Sequence, residues 1–214
     1  MDDSRLLNIN DKFRKLSTEE INQIIKNESL PYSIMAINIQ SCLNISNIMR
    51  TANLCGCYEI VLFGRKSYDR RGCVGSQNYI NIIKISAVIY PDRRNFNNLT
   101  QDEVNDILDI DIFTNFIEDN NYLPVFIEQD TTSITANNDN IKMIIENSKI
   151  LHKKLIFIFG NESFGIPKNI LESRHKFNHH YTLELQQKGC IRSYNVANCC
   201  SILCYKIMEI FNKL

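Results

Sequence analysis

The run Leu155-Ile156-Phe157-Ile158-Phe159 is the most continuous β-type segment of the chain, and Gly160-Asn161-Glu162-Ser163-Phe164-Gly165-Ile166-Pro167 follows it directly. The apolar run predicts a buried strand, and Pro167 suits the first position of a helix after the loop. The two glycines bracket the Glu162 carboxylate and permit a close backbone approach or a positive φ. A plain strand–turn–helix connection explains the same glycines equally well. This segment alone therefore does not decide between a ligand-binding loop and a plain connection.

Strands and helices alternate on both sides of this run. Strands are predicted over 34–39, 59–63, 80–85, 123–128, 155–159 and 181–185. Helices are predicted over 44–57, 113–119, 141–147 and 193–211. This alternation indicates an α/β fold with a mostly parallel sheet and helices on both of its faces. Because ligands bind beyond the carboxyl ends of such strands, we expect a site in the loops after Ile39, Glu128, Phe159 and Leu185.

A short helical appendage is predicted over residues 1–30, ahead of one larger domain over residues 31–214. Ser17 suits the N-cap of a helix, and Glu20 is placed to reach back to it. We expect this helix to end near Asn27. The appendage is too small to be a separate RNA-binding domain.

The composition limits the class of protein. The 214 residues are 44% hydrophobic and 22% charged, which is typical of a globular domain. We see no signal peptide and no run that is long and apolar enough to cross a bilayer. A soluble, intracellular protein is therefore expected, with the cytoplasm favoured. None of the eight cysteines forms the C-x-x-C pair of a zinc site, and core packing explains most of them, so we expect no metal.

The charged residues balance at 24 basic and 24 acidic, which counts mildly against a nucleic-acid partner. Their distribution matters more than their sum. One basic cluster consists of Arg65, Lys66, Arg70 and Arg71. We favour the interpretation that this cluster contacts RNA over the interpretation that it is only a solvated loop. Arg174-His175-Lys176 is a smaller group, and Arg93 and Arg94 fall within a polar, irregular insertion expected over 90–106.

Two further segments carry candidate functional side chains. Asn44-Ile45-Ser46-Asn47-Ile48-Met49-Arg50-Thr51-Ala52 places Asn44 and Arg50 toward one side of a helix, where a guanidinium can hold a phosphate or a hydroxyl. Taken alone, Arg50 fits an exposed surface residue equally well. Leu185-Gln186-Gln187-Lys188-Gly189-Cys190-Ile191-Arg192-Ser193-Tyr194-Asn195-Val196-Ala197 is a polar loop that enters a helix. Ser193 would serve as the N-cap of that helix, whereas capping explains Asn195 less readily.

Together the three segments resemble the SpoU/TrmH family of SPOUT RNA methyltransferases. The family motif N-x-G-x-x-x-R-T-A matches Asn44 to Ala52, with Ser46 at the small position, and G-x-E-x-x-G-[IL]-P matches Gly160 to Pro167. The third motif, G-x-x-x-S-L-N-V, matches Gly189 to Val196 with Tyr194 in place of Leu. Phe126-Ile127-Glu128-Gln129, with Ser133 beyond, is similar to the E-Q-T-x-x-S segment of some members. Three motifs in the same order make the resemblance specific, and it covers roughly residues 32–212.

The resemblance implies a fold and a chemistry that the residues alone do not. It implies a C-terminal trefoil knot, a homodimer, and transfer of a methyl group from S-adenosylmethionine to a ribose 2′-hydroxyl of RNA. The implied catalytic site comprises Asn44, Arg50, Glu162, Ser193 and Asn195, although Glu162 suits a structural role equally well. The implied cofactor contacts lie around Glu128, Gly160, Leu185, Ile191 and Tyr194. Arg192 is expected to join the basic cluster in contacting RNA.

The resemblance identifies the RNA substrate less precisely than it identifies the reaction. Ile191-Arg192-Ser193 and Glu128-Gln129 look like members that act on the D-loop guanosine of tRNA, which favours tRNA. Ribosomal RNA and other tRNA positions are alternatives, as is a non-catalytic RNA-binding protein with the same fold. A doubly wound nucleotide-binding enzyme ranks behind these, because no G-x-G-x-x-G follows the first strand. Two departures from the family pattern, Tyr194 and Gln186, fall in the third segment.

Overall fold

Among the residues that the structure describes, seven strands form one sheet. A computed structural model describes residues 9–87 and 108–214, so the insertion expected over 90–106 lies outside the described residues. The strands are β1 (Leu30–Ile37), β2 (Cys57–Phe63), β3 (Asn81–Ile85), β4 (Tyr122–Ile127), β5 (Ile134–Thr135), β6 (Lys154–Phe159) and β7 (Tyr181–Glu184). Their order across the sheet is β3-β2-β1-β6-β4-β7-β5, and each of these pairings is parallel. The parallel sheet is as the sequence predicts.

Helices cover both faces of this sheet. They are α1 (Thr18–Glu28), α2 (Cys42–Leu54), α3 (Arg70–Cys73), α4 (Ile110–Asp119), α5 (Asn138–Ile150), α6 (Lys168–Glu172) and α7 (Val196–Phe211). A 3-10 turn over Ser173–Lys176 follows α6 directly. In the part of the chain that the structure describes, no helix has both the length and the apolar composition needed to cross a membrane.

Alternate residues of each buried strand supply two separate cores. Ile34 and Ala36 of β1 pack in a cluster with apolar side chains of α2, α5 and α7, and each is almost fully buried. Met35 and Ile37 point the other way and pack with α4 and α6. Because a strand directs successive side chains to opposite faces, this division confirms the predicted helices on both faces.

The element bounds differ from the predicted ones at several helix and strand ends, and β1 spans Leu30–Ile37 instead of 34–39. Helix α2 begins two residues before Asn44 and ends at Leu54, and the last helix begins at Val196 instead of Ser193. The two-residue strand β5 has no counterpart in the prediction. Helix ends depend on which side chain caps the backbone, and an apolar period does not encode that choice.

The predicted capping box of α1 is present. Ser17 Oγ accepts a hydrogen bond from the Glu20 backbone N–H at 3.2 Å, and the Ser17 N–H donates to Glu20 Oε2 at 2.7 Å. Ile21 is the one residue of α1 that is buried. The boundary between an appendage and a domain near residue 30 stays a prediction.

Candidate active site

A cavity of about 530 Å³ opens at the carboxyl ends of β4, β6 and β7. These strands are neighbours in the sheet, so the loops that follow them meet at one edge. The volume lies within the range of small-molecule sites. The cavity is lined by Ile127, Glu128, Gln129, Phe159, Gly160, Asn161, Glu162, Ser163, Phe164, Gly165, Leu183, Glu184, Leu185, Arg192, Ser193, Tyr194, Asn195, Val196 and Cys199.

The loop after β6 folds back tightly on itself. The backbone groups of Asn161 and Gly165 exchange two hydrogen bonds, of 2.7 and 2.9 Å. A Cβ on Gly160 would lie 2.0 Å from the Gly165 carbonyl carbon, and Gly165 itself has a φ of +71°. Both positions therefore require glycine for steric reasons. The two glycines are therefore explained by the tight packing of the loop between β6 and α6.

Glu128 ties the loop after β4 to the loop after β6. Its Oε2 accepts a hydrogen bond from the Ile166 backbone N–H at 2.8 Å. A Cβ on Gly165 would lie 2.3 Å from this same oxygen, so the small residue makes room for the carboxylate. Ser133 Oγ donates to the Glu128 carbonyl oxygen at 2.8 Å, which gives the E-Q-x-x-x-S pattern a structural basis.

Glu162 binds the N-terminal end of α2. Its carboxylate accepts hydrogen bonds from the backbone N–H groups of Gln40 and Ser41 at 2.8 and 2.9 Å. The side-chain amide of Asn44 donates to Glu162 Oε1 at 2.8 Å. An anion is favourable at this end of a helix because unpaired N–H groups and the positive end of the macrodipole meet there.

The pKa of Glu162 is lowered from its ordinary value. Partial burial raises the pKa, but the hydrogen bonds from Gln40, Ser41 and Asn44 stabilise the carboxylate and outweigh that effect. Glu162 is therefore a carboxylate at neutral pH, and both of its oxygens accept hydrogen bonds from donors at the N-terminal end of α2.

Asn195 joins the third segment to this cluster. Its side-chain Nδ2 donates to Asn44 Oδ1 at 3.2 Å, and its Oδ1 accepts from the backbone N–H groups of Ala197 and Asn198 at 2.9 and 3.3 Å. Asn195 is thus the N-cap of α7. The expectation that Ser193 would cap this helix was wrong, because the helix begins at Val196, three residues later than predicted. Glu162, Asn44 and Asn195 thus form a row of hydrogen-bonded side chains that joins the three segments.

The structure brings most of the predicted catalytic and cofactor residues to the cavity, and it leaves three of them outside its lining. Glu128, Gly160, Glu162, Leu185, Arg192, Ser193, Tyr194 and Asn195 line the cavity. Asn44 contacts it through Glu162 and Asn195. Ile191, expected near the cofactor, is 74% exposed and does not line the cavity. Arg50 does not line it either.

Arg50 lies on the exposed side of α2. The side chains of Leu43, Asn47, Arg50 and Leu54 are all exposed and follow one another at helical spacing. Within residues 9–87 and 108–214, Arg50 makes no hydrogen bond or ion pair. The guanidinium is thus available to a molecule outside its own chain.

The basic cluster lies beside the N-terminal end of α2. Arg65 Nη2 is 3.9 Å from Cys42 Sγ, and Lys66 Nζ contacts Ser86 Oγ. Arg70 is exposed. Arg71 forms an ion pair with Asp69 at 2.8 Å, which partly neutralises it.

The sequence alone missed several residues of this site. Gln40 and Ser41 act through backbone N–H groups, which no side-chain pattern reveals. Asn161 Nδ2 donates to the Asn38 carbonyl oxygen at 2.8 Å and fixes the loop after β6 against the end of β1. Its place between Gly160 and Glu162 in the motif was the available signal. Cys199, on α7, lines the cavity with a pKa that burial raises to about 12.

The fold and the cavity define an α/β protein with a ligand site at the carboxyl edge of a parallel sheet, built from three polar loops. Residues 31–205 match the model of the SpoU rRNA Methylase family. The chain therefore belongs to this family, and the resemblance to SpoU/TrmH RNA methyltransferases is confirmed. No curated protein sequence matches the chain.

Solved structures share the fold at low sequence identity. The TrmH/SpoU tRNA modifying enzyme of A. aeolicus is 14% identical with a TM-score of 0.64, and the match covers 92% of this chain and 83% of that one. The SpoU methyltransferase AviRb of Streptomyces viridochromogenes, in complex with AdoMet, is 17% identical with a TM-score of 0.57, covering 87% and 62%. An RNA 2′-O ribose methyltransferase is 15% identical with a TM-score of 0.57, covering 86% and 57%.

Replacement of Glu162 by Gln should destabilise the protein in a pH-dependent way. The carboxylate has a lowered pKa in the folded state, so its contribution is fully present above its ordinary value of 4.5 and is lost as the pH falls through the folded value. Urea unfolding should show a constant difference in free energy of unfolding between wild type and Glu162→Gln from about pH 7 to about pH 5. Below that range the difference should shrink.

Glu28→Gln is the matched control, because the Glu28 side chain is 62% exposed and pairs only with Lys12 among the described residues. It should change stability little at any of these pH values. A Glu162→Gln difference that grows as the pH falls would contradict the assignment.

Proposed function

We propose that this protein is an S-adenosylmethionine-dependent RNA 2′-O-methyltransferase. The observation that carries the proposal is the hydrogen-bonded chain Glu162–Asn44–Asn195 at the cavity. It joins one residue of each of the three family motifs, which are separated by about 120 and 150 residues in the sequence. Membership of the SpoU family supports RNA as the substrate, and a neighbour that is named as a 2′-O ribose methyltransferase supports the ribose hydroxyl.

The volume of the cavity lies within the range of small-molecule sites, which supports a bound cofactor. The neighbour AviRb binds AdoMet in the same fold. Glu128, Gly160, Leu185 and Tyr194 would hold the cofactor, since they line the cavity at the ends of the strands. When bound, the cofactor supplies an electrophilic methyl group on a sulfonium. We also infer the trefoil knot of the family, in which the loops around this cavity thread through one another.

The residues of the chain would act by alignment. Transfer to a hydroxyl needs the oxygen, the methyl carbon and the sulfur in line, so holding the reactants is a large part of the catalysis. Asn195 is fixed as a helix cap and by Asn44, and Ser193 precedes it at the cavity wall. We assign to them the positioning of the target nucleotide. A guanidinium offers N–H donors and no acceptor atom, so Arg50 would orient the hydroxyl and stabilise developing negative charge.

The position of Arg50 supports a homodimer. Helices α2 and α7 lie side by side, with Thr51 Oγ1 3.0 Å from Ser201 Oγ. On α7, Ile202 and Tyr205 are 38% and 55% exposed, and Leu54 of α2 is 71% exposed. A second copy of the chain would cover these apolar side chains. The same contact would present Arg50 of one copy to the other, which accounts for its absence from the cavity of its own chain.

Sedimentation equilibrium should therefore give twice the mass of one chain. Ile202→Asp and Tyr205→Asp would each place a charge in the covered face and shift the protein to monomers. Ile150→Asp is the matched control, since Ile150 is 72% exposed on α5 and should leave the dimer intact. A monomeric wild type, or a dimer unaffected by both α7 variants, would argue against this interface.

The basic cluster is proposed to bind the RNA backbone beside the cavity. Arg65 approaches Cys42, which directly follows Ser41, a residue bound to Glu162. Phosphates near the reacting ribose would thus meet the cluster and, within the cavity wall, Arg192. A tRNA is favoured, with the D-loop guanosine as its target. The neighbour from A. aeolicus is named as a tRNA modifying enzyme, and ribosomal RNA is the alternative.

Removal of one phosphate contact should reduce the salt dependence of RNA binding. Arg65→Gln, Lys66→Gln and Arg70→Gln should each lower the magnitude of the slope of log K against log salt concentration by about one. Lys142→Gln on α5 is the control, because Lys142 pairs with Glu146 away from the cluster, and its slope should equal that of wild type. If the slopes of the three cluster variants equalled those of the Lys142→Gln control and wild type, the cluster would not contact RNA.

The function itself is tested with the full chain and labelled cofactor. Wild type should transfer tritium from S-adenosylmethionine to RNA, and nucleoside mass spectrometry should identify the product as a 2′-O-methylated nucleoside. Arg50→Ala should lower the transfer rate by about 100-fold or more while the Kd for the cofactor changes by less than about twofold. Arg14→Ala, at an exposed ion pair with Asp11, should match wild type.

Each outcome discriminates between the functions considered. Transfer to a base in place of a ribose would correct the reaction class. RNA binding without any methyl transfer would favour the non-catalytic alternative. Full activity of Arg50→Ala would refute its assigned role, and the labelled nucleoside would decide between tRNA and ribosomal RNA.

A further inference from the structure

An ion pair outside the cavity holds the loop after β4. Arg174 Nη1 lies 2.6 Å from Asp130 Oδ2, 3.2 Å from Thr132 Oγ1 and 2.9 Å from Thr182 Oγ1. Its Nε donates to the Leu171 carbonyl oxygen at 2.7 Å. One guanidinium therefore connects the segment after α6 with the loop after β4 and with β7.

Hydrogen bonds continue from this ion pair to the cavity rim. Asp130 Oδ1 accepts from the backbone N–H and the hydroxyl of Thr132, at 2.7 and 2.6 Å. The Asp130 N–H donates to Ser133 Oγ at 3.0 Å, and that hydroxyl donates to the Glu128 carbonyl oxygen. Glu128 in turn accepts from Ile166 N–H in the loop after β6. The path from Arg174 to the cavity is thus continuous and made of short polar contacts.

The Arg174–Asp130 ion pair is better suited to holding the loop in one geometry than to stabilising the fold. The side chains of Arg174 and Asp130 are only 20% and 24% exposed, so both charges lose much of their hydration. An ion pair in such a place offers little net stability, because desolvation offsets the attraction. A planar guanidinium with several fixed donors does, however, define the orientation of the oxygens around it.

Both ends of the network adjoin residues that line the cavity. Glu128 and Gln129 immediately precede Asp130, and Leu183 immediately follows Thr182; all three line the cavity. Arg174 and Asp130 themselves do not. The two residues act on the site through their neighbours.

We propose that Arg174 and Asp130 are positioning residues that fix Glu128 and Gln129 at the cavity rim and thereby set the affinity for S-adenosylmethionine. This inference rests on the proposed function, since it takes the cofactor to be the ligand of the cavity. It assigns Arg174 to the cofactor loop, whereas the sequence offered it only as a member of a small basic group.

Calorimetric titration of the full chain with S-adenosylmethionine tests the inference. Arg174→Gln and Asp130→Asn should each raise the Kd about tenfold, and the double variant should bind no more weakly than the singles, because the two side chains act as one unit. In transfer assays the KM for the cofactor should rise by a similar factor while kcat changes by less than about twofold. A merely structural role would lower active protein and kcat instead.

Amide hydrogen exchange gives a readout without cofactor. In both variants the amides of residues 128–133 and of Ile166 should exchange faster than in wild type, while those of β1 should not change. Arg14→Gln is the matched control, because it removes an exposed guanidinium paired with Asp11, and it should leave Kd, KM and exchange unaltered. Should Arg174→Gln fail to fold, the isosteric Asp130→Asn carries the same test.

Two negative outcomes can be told apart. A wild type that binds no S-adenosylmethionine overturns the proposed function and, with it, this inference. A wild type that binds normally, with unchanged affinity in Arg174→Gln and Asp130→Asn, overturns the inference alone. Strictly additive losses in the double variant would also contradict it, since they would mean that the residues act independently.

Discussion

The contact between the Glu162 carboxylate and the N-terminal end of α2 connects parts of the chain that are far apart in sequence. Its oxygens accept from Gln40 and Ser41 N–H and from the Asn44 amide, and Asn44 in turn holds the cap of α7. The loop after β6 carries this carboxylate to α2, and it is folded so tightly that Gly160 has no space for a Cβ. A steric constraint in one loop thus sets the relative position of all three segments.

The sequence predicts those parts of the fold that depend on side-chain period and misses those that depend on backbone groups. Apolar runs such as 155–159 predicted the strands, and parallel order then placed their carboxyl ends at one edge. The start of α7 was misjudged because Ser and Asn both cap helices well. Only the position of Asn44, a residue 151 positions earlier, shows why Asn195 takes that role.

The sequence likewise predicted which residues form the site, but it did not predict the contacts that they make. The motifs identified Glu162, Asn195 and Glu128, but motif matching does not state whether a residue faces its own cavity. Arg50 illustrates the difference, because it belongs to the first motif and yet lies on an exposed helix face. Ile191, expected near the cofactor by resemblance, has a 74% exposed side chain outside the cavity lining, and its role stays a prediction. Arg174 carried no motif signal at all, since its importance arises from contacts with Asp130 and Thr182.

The hydrogen bonds around the cavity also affect which side chains could act as a general base for the hydroxyl proton in the proposed reaction. A general base needs an oxygen that can accept the proton and a pKa close to the working pH. Glu162 does not meet the second condition, because hydrogen bonds from Gln40, Ser41 and Asn44 at the N-terminal end of α2 outweigh its partial burial and lower its pKa. The guanidinium of Arg50 has N–H donors and no acceptor atom, so it does not meet the first condition. Since the network instead fixes side-chain positions, the proposed transfer would depend on alignment of the hydroxyl with the sulfonium more than on a strong base within the protein.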